Sequence, residues 1–275
     1  MSGETIMRFA GKEPYADSLL LVVEVGNTNT SFVVYQGHEI LEKVKVSSKS
    51  LIDPDGFPGT LAQMIMRYPS LGDAAICSVI PMLERTTGDY LRHHLSGQVM
   101  TVSASITLPF VLNYAPPDSF GADRLALCAV SQLLYPEAAV IAIDIGTAIT
   151  VDVVGSTQRY LGGLILPGLD LMAKALHEHT AQLPLVALDR PETLLGCSTT
   201  DGIKNGIIHG CASSMDGLVA KITGWLQEER SETAVNVMVT GGNAPLIAGM
   251  LDCSPRHEEL AVVKGTRYLF SLNAE

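Results

Sequence analysis

Short apolar runs alternate with amphipathic stretches along this chain, and the first run begins at Leu19. Runs of roughly 4–8 apolar residues between turn formers are typical of strands, whereas apolar positions three and four residues apart are typical of helices. The pattern predicts strands at residues 19–25, 31–35, 39–46, 74–79, 99–102, 140–145, 149–154 and 235–240. It predicts helices at residues 82–95, 122–134, 168–178 and 201–226. Strands that alternate with helices indicate an α/β fold.

One strand–turn–strand pattern occurs twice, at a separation of 120 residues, the distance from Glu24 to Asp144. Each copy has an apolar strand, an acidic residue, a glycine two positions later, a small polar turn and a second strand. The aligned pairs are Glu24 with Asp144, Gly26 with Gly146, Thr30 with Thr150, Val33 with Val153 and Val34 with Val154. An internal repeat of this kind predicts a chain made of two similar halves.

The two repeated turns carry the chemistry of a phosphate site. Glycine lets the backbone approach a ligand closely, and the N–H groups and hydroxyls of small polar residues suit phosphate oxygens. A carboxylate beside them can hold a hydrated Mg²⁺ ion. Ordinary turns that merely contain Asp and Gly are the alternative. The pair Gly241–Gly242, directly after a third predicted strand, favours the phosphate site.

Composition and charge remove several classes of protein. The 275 residues are 47% hydrophobic and 17% charged, which is enough apolar material for sizeable cores. The net charge of −11 and the lack of any Lys/Arg cluster argue against nucleic acid as a partner. No apolar run reaches the ~20 residues that cross a membrane, which argues against a membrane protein. Five widely spaced cysteines without a CxxC pair argue against a disulfide framework or a zinc site, and they favour the cytoplasm.

Seven separated stretches resemble the type III pantothenate kinases, a family of the superfamily that includes acetate kinase, hexokinase, actin and the heat-shock chaperone ATPases. They are Glu24–Thr30, Ser78–Pro81, Gly121–Arg124, Asp144–Thr147, Tyr160–Gly163 with Pro167–Gly168, Thr180–Pro184 and Thr240–Gly242. No single stretch is specific, but their order and spacing together are, and they cover almost everything after residue 18.

The resemblance implies the actin-like ATPase fold. In that fold, two similar ribonuclease-H-like domains each contain a mixed five-stranded sheet with helices, and the nucleotide binds in a cleft between them. We therefore expect a first half at residues 19–136 and a second half at residues 137–275. Residues 1–18 are polar and lack the apolar core of a signal peptide, so we interpret them as a flexible N-terminal extension.

The activity that the resemblance implies is the ATP-dependent phosphorylation of pantothenate to 4′-phosphopantothenate, the first step of coenzyme A biosynthesis. It also implies a cytoplasmic homodimer that needs Mg²⁺ and a monovalent cation, K⁺ or NH₄⁺. The residues that would bind ATP are Glu24, Val25, Gly26, Asn27, Thr28, Asn29, Thr30 and Ser31, together with Thr147. Glu24 is the candidate Mg²⁺ ligand, and Asp144 is the candidate ligand of the monovalent cation.

The resemblance also implies a pantothenate site. Its residues would be Tyr114, Gly121, Ala122, Asp123, Arg124 and Thr180, with Thr180 reaching in from the second subunit. Asp123 would be the general base, because a hydroxyl nucleophile needs a carboxylate within hydrogen-bond reach to accept its proton. Arg124 could offer two parallel hydrogen bonds to the substrate carboxylate. The alternative for Asp123 is a surface acid near a helix start, where Asp is favoured.

Glu24 departs from the family pattern, which has Asp at this position. The extra methylene moves the carboxylate by ~1.5 Å, and catalytic geometry is sensitive to shifts of about 1 Å. Mg²⁺ usually keeps several waters, so Glu24 could still hold it through one of them. Three alternatives stay open: a weakly active or inactive relative that binds ligand and regulates another protein, a kinase of another small hydroxy acid, and a chaperone-like or actin-like ATPase module, for which the chain lacks the length.

Overall fold

The computed structural model describes residues 18–51 and 56–274, with side chains throughout except at residues 56–58. The expected N-terminal extension, residues 1–18, lies outside the described residues except for Ser18. The described chain divides into two compact units. The first unit contains residues up to Pro109, residues 115–134 and the segment that begins at Val262, and the second unit contains residues 110–114 and 135–261.

Strands and helices alternate along the described residues. The strands are β1 (Leu19–Val25), β2 (Asn29–Gln36), β3 (Glu39–Ser47), β4 (Leu71–Ser78), β5 (Val99–Thr101), β6 (Ala139–Ile145), β7 (Ala148–Val154), β8 (Tyr160–Pro167), β9 (Val235–Thr240) and β10 (Arg256–His257). The helices are α1 (Gly56–Arg67), α2 (Pro81–His94), α3 (Ala122–Leu134), α4 (Leu169–Glu178), α5 (Thr199–Arg230), α6 (Ala244–Ile247) and α7 (Ala261–Asn273). Among these described helices, none combines the length and the apolar composition that a bilayer-spanning helix requires.

Each unit contains a mixed five-stranded sheet, which confirms the prediction. The strand order is β3-β2-β1-β4-β5 in the first unit and β10-β9-β6-β7-β8 in the second. β1 pairs antiparallel with β2 and parallel with β4, and β6 pairs antiparallel with β7 and parallel with β9. The antiparallel pairs are the two predicted hairpins, and each parallel neighbour ends beside the acid of its hairpin.

Strand alternation places the two repeated acids away from the main cores. The core of the first sheet takes Leu21, Val23 and Val25 from β1. The core of the second sheet takes Ile141, Ile143 and Ile145 from β6. Because successive side chains of a strand point to opposite faces, Glu24 and Asp144 both lie on the face opposite to these cores.

The two hairpins differ in the length of their turns. Glu24 lies opposite Ser31 in the first hairpin, whereas Asp144 lies opposite Thr150 in the second. The structural counterpart of Thr150 is therefore Ser31, and the alignment of Thr30 with Thr150 is wrong. Equivalent residues of the two hairpins are 120 residues apart in the first strand. In the second strand they are one residue fewer apart, because the first turn contains one extra residue.

Several elements depart from the sequence prediction. α1, β8 and α7 lie where no element was predicted, and α5 is longer than the predicted helix. The apolar pattern of β8 is interrupted by Gly162 and Gly163. α7, apart from its first residue Ala261, belongs to the first unit, although residues 137–275 were expected in the second half. Gly265 brings α7 against α3 so closely that a β-carbon there would lie 1.9 Å from the carbonyl oxygen of Ala126.

Candidate active site

The turn between β1 and β2, residues 26–28, is held by Ser48, which directly follows β3. The Ser48 N–H donates to the carbonyl of Thr28 at 3.0 Å, and the Ser48 hydroxyl donates to the carbonyl of Gly26 at 2.6 Å. The Ser48 and Thr30 hydroxyls lie 2.9 Å apart and share a hydrogen bond. The turn is therefore fixed from behind, and residues 27–29 stay exposed. Sequence reasoning missed Ser48, because nothing local links it to a turn that lies twenty residues earlier.

The predicted phosphate-site residues divide into two groups. Gly26 and residues 27–29 form the accessible part of the turn. Val25, Thr30 and Ser31 are buried, at 1%, 0% and 9% exposure. Their side chains therefore support the turn, and a ligand would meet backbone N–H groups and the small side chains of residues 27–29.

Glu24 lies half-buried at the end of β1, and the Ser31 hydroxyl on the facing strand donates a hydrogen bond to its carboxylate. Burial raises the pKa of Glu24 above its ordinary value, while the Ser31 hydrogen bond and the Lys45 charge act in the opposite direction. The negative charge of Asp123 raises the pKa of Glu24 further. Two carboxylates of the first unit thus lie within electrostatic reach of one another, an arrangement that favours a cation.

Asp123 lies in the first turn of α3, where its Oδ1 accepts a hydrogen bond from the N–H of Arg124 at 2.8 Å. A β-carbon on Gly121 would lie 2.5 Å from Asp123 Oδ1, so a larger residue there would displace the carboxylate from this hydrogen bond. The charge of Asp123 also raises the pKa of Cys77, after the larger effect of burial. Cys77 lies beside Glu24 on β4. Asp123 therefore lies within electrostatic reach of both Glu24 on β1 and Cys77 on β4.

Arg124 is buried, and its guanidinium stacks over the ring of Phe120 at 4.4 Å. Stacking on an aromatic face orders the guanidinium plane, which suits an arginine that recognises a carboxylate. Ala122 is buried at 9% exposure and can offer only its backbone to a ligand. Sequence reasoning missed Phe120, whose contact with Arg124 joins the loop to the first turn of α3.

In the second unit, glycines crowd around Asp144 and the turn of residues 146–147. A β-carbon on Gly241, whose φ is +103°, would lie 2.4 Å from Asp144 Oδ1. A β-carbon on Gly168 would lie 2.3 Å from the carbonyl oxygen of Thr147, and the Gly168 N–H donates to that oxygen at 3.1 Å. Gly241 therefore leaves room for the Asp144 carboxylate, and Gly168 lets the backbone pass close to the exposed Thr147.

The Thr150 hydroxyl suits a cation beside Asp144. This oxygen is buried and has no hydrogen-bond partner, and Thr150 lies directly opposite Asp144 in the hairpin. Paired residues of neighbouring strands project from the same face within about 5.5 Å of one another. A carboxylate beside a hydroxyl without a partner is a donor set that fits a hard monovalent cation.

The first unit has a donor set that suits Mg²⁺ rather than an all-protein metal cage. Among the described residues, no three His, Cys, Asp or Glu side chains gather into a metal-binding group. Mg²⁺ is usually bound through one or two carboxylates plus substrate phosphates and waters. Glu24 at the end of β1, close in sequence to the exposed residues 27–29, fits that mode of binding.

Tyr114 and Thr180, the two remaining predicted substrate contacts, lie in different surroundings of the second unit. The Tyr114 ring meets the Tyr160 ring edge-on, with centroids 6.2 Å apart. Thr180 follows α4, where its hydroxyl donates to the carbonyl of Leu176 at 2.7 Å. It lines an apolar groove of about 870 Å³ between α4 and α5. This groove lies on the helix-covered face of the sheet, whereas Asp144 lies on the opposite face, so Thr180 does not join Asp144 within its own unit.

A comparison with solved structures agrees with the predicted fold. The ethanolamine utilization protein EutJ from Carboxydothermus hydrogenoformans superimposes with a TM-score of 0.52 at 13% identity, over 95% of this chain and 92% of that protein. At that identity the likeness concerns the fold alone. Together with the two mixed five-stranded sheets, it confirms the actin-like ATPase fold.

The sequence relatives are much more similar to this chain than the structural neighbour is. The sequence profile of the type III pantothenate kinase family matches residues 20–221. A protein of that name from Chlorobium luteolum is 47% identical over 254 residues, which are 92% of this chain and 94% of the relative. Another from Chlorobium chlorochromatii is 44% identical over 258 residues, 94% of this chain and 97% of the relative. With matches of this extent, the chain belongs to the type III pantothenate kinase family.

Proposed function

We propose that this chain transfers the γ-phosphoryl group of ATP to the primary hydroxyl of pantothenate. The products are ADP and 4′-phosphopantothenate, and the reaction is the first step of coenzyme A biosynthesis. The observation that carries the proposal is that Asp123, at the start of α3, lies within electrostatic reach of Glu24 in the first unit. Family membership supports the choice of substrate.

The phosphates are assigned to the first turn. Backbone N–H groups and the Asn and Thr side chains of residues 27–29 would bind their oxygens, and Thr147 would make a further ATP contact. Gly26, whose N–H donates to the carbonyl of Asn29 at 3.0 Å, would let the phosphates approach the backbone closely. Glu24 would hold Mg²⁺, directly or through a water. When bound, that ion neutralises charge that develops on the phosphates. The rigid support from Ser48 keeps the N–H groups in place, so that little reorganisation is needed during the reaction.

Asp123 is assigned the proton transfer. Its carboxylate accepts the proton of the primary hydroxyl while the hydroxyl oxygen forms a bond to the γ-phosphorus. The bond between that phosphorus and the β–γ bridging oxygen breaks, and ADP leaves with the electron pair. Arg124 would bind the pantothenate carboxylate, while Tyr114 and the backbone of residues 121–122 would hold the rest of the substrate.

The monovalent cation is assigned to Asp144, with the Thr150 hydroxyl beside it. Replacing K⁺ by Na⁺ in the assay is expected to lower kcat severalfold, because Na⁺ is smaller and holds its water more tightly. NH₄⁺, which is similar in size to K⁺, should sustain the rate. Asp144→Asn should abolish the difference between the ions. Equal rates of the parent enzyme in K⁺ and Na⁺ would count against Asp144 as a cation ligand.

A homodimer is part of the proposal, and the groove of α4 and α5 supports it. Leu171, at 48% exposure, and Leu176, at 36%, line this groove together with Thr180. Exposed apolar patches of this kind mark protein interfaces. Within its own unit Thr180 lies on the face away from Asp144, and the proposal assigns it to the pantothenate site of a second copy.

Leu171→Glu is expected to halve the particle mass measured by light scattering, because it introduces a charge into the apolar groove. It should also raise the KM for pantothenate, since Thr180 would no longer reach a second site. Met82→Glu is the matched control, as Met82 is a similarly exposed apolar residue on α2, at 54% exposure. A parent protein with the mass of one 29.3 kDa chain would contradict the dimer.

A panel of hydroxy acids tests the choice of acceptor. We expect phosphorylation of pantothenate at the highest kcat/KM, because family membership favours this acceptor and Arg124 would bind its carboxylate. Faster turnover of another acid would keep the kinase and change the substrate. We further propose that the enzyme acts in the cytoplasm, where its five free thiols stay reduced.

A further inference from the structure

A carboxylate with no assigned role lies on the same sheet face as Asp144. Asp152 is completely buried on β7, and the Tyr160 hydroxyl donates a hydrogen bond to its Oδ1 at 3.0 Å. Burying a carboxylate is unfavourable unless hydrogen bonds compensate it. A buried charged pair is weak evidence for stability, because apolar residues of similar volume often stabilise such positions as well.

A bulge in β8 directs Tyr160 towards Asp152. Val153 pairs with Gly162, and the next residue, Val154, pairs with Tyr160, so Leu161 is an extra residue in the strand. Paired residues share a face, which puts Tyr160 on the side of Val154 and Asp152. Gly162 accommodates the irregular backbone with a φ of +142°. Bulges that re-aim a side chain are frequent beside active sites.

The start of β8 also holds the segment of residues 111–114, which includes Tyr114. The Val111 N–H donates to the carbonyl of Gln158 at 2.8 Å, and the Tyr160 N–H donates to the carbonyl of Val111 at 3.0 Å. Three residues further on, the Tyr114 ring packs edge-on against the Tyr160 ring, at an interplanar angle of 72°. Tyr160 therefore contacts the segment through its backbone and through its ring.

We propose that Tyr160, fixed by Asp152, is a positioning residue that orients Tyr114 for binding the pantothenate chain. The Asp152 carboxylate holds the Tyr160 hydroxyl, the fixed ring holds the Tyr114 ring, and Tyr114 meets the substrate. This inference rests on the proposed function, because Tyr114 binds pantothenate only if pantothenate is the acceptor. It assigns to the buried pair a role in substrate specificity that does not involve the nucleotide.

Tyr160→Phe tests this chain of contacts with the smallest change. It removes the hydroxyl and keeps the ring, and we expect the KM and the calorimetric Kd for pantothenate to rise about five- to tenfold. The KM for ATP should stay nearly unchanged. Tyr160→Leu, which also removes the ring contact, should have a larger effect on pantothenate. Asp152→Asn keeps an acceptor oxygen and should behave more like the parent than Asp152→Ala does.

Tyr35→Phe is the matched control, because Tyr35 is a buried tyrosine of the first unit and should leave both KM values unchanged. Melting temperatures of all variants separate local from global effects. A parent enzyme without pantothenate turnover would overturn the proposed function. An active parent whose Tyr160 variants keep a normal pantothenate KM, while Tyr114→Ala raises it, would overturn only the positioning role. Equal rises in both KM values, with a lower melting temperature, would also overturn it.

Discussion

Asp123→Asn is expected to lower kcat by about 10²–10⁴-fold, the usual contribution of a general base. Asn has nearly the same shape as Asp and can still accept the hydrogen bond that the Arg124 N–H donates to Oδ1 at 2.8 Å. The start of α3 should therefore keep its conformation. An amide does not accept the proton of an attacking hydroxyl at neutral pH, so turnover should fall while the affinity for ATP stays nearly the same.

The measurement combines steady-state kinetics with calorimetric titration of ATP. Asp118→Asn is the matched control, because Asp118 is an exposed acid in the short 3₁₀ turn just before α3. Its activity should equal that of the parent. Full activity of the Asp123 variant would remove this residue from the role of base. A loss in both variants would point to the loop as a whole rather than to one carboxylate.

Glu24→Gln is expected to lower kcat/KM for ATP about 10–100-fold, the effect of losing one charged partner in a buried site. Gln keeps the length of the side chain and can still accept the hydrogen bond from Ser31, but it has no charge for Mg²⁺. The variant should also need more Mg²⁺ for half-maximal rate. Its melting temperature without nucleotide should be no lower, since a half-buried charge whose pKa is raised by burial has been removed.

Glu24→Asp distinguishes two hypotheses for this position: Mg²⁺ binding as in the rest of the family, or a pocket rebuilt around the longer glutamate. If the site binds Mg²⁺ in the manner of the family, the shorter acid should preserve or raise activity. A large loss in this variant would mean that the pocket has been rebuilt around the longer side chain. The cross-strand contact with Ser31 would then be the cause, because a shorter carboxylate is drawn back from that hydroxyl.

The hairpins and their acids could be predicted because their signals are local. An apolar run, an acid and a glycine within seven or eight residues determine a buried strand and its turn. The pairing of two such copies then indicates the two sheets. Asp123 was also predictable, since Gly121 and an apolar helical pattern lie directly beside it in the sequence.

The remaining features depend on contacts between distant segments or on register. Ser48 reaches the first turn from the end of another strand. Thr150 faces Asp144 only because the second turn is one residue shorter than the first. Tyr160 faces Asp152 only because β8 contains a bulge. Sequence spacing alone does not determine such register shifts, since a one-residue change reverses the face of every following side chain.

The central claim is phosphoryl transfer to pantothenate. Its most direct test is ADP release by the purified protein with ATP, Mg²⁺ and K⁺, measured with and without pantothenate, and with the phosphorylated product identified by mass. The account predicts ADP release that depends on pantothenate and matches the 4′-phosphopantothenate formed. Binding of pantothenate without any ADP release, even at high protein concentration, would contradict it and would indicate a relative that binds the ligand but has lost catalysis.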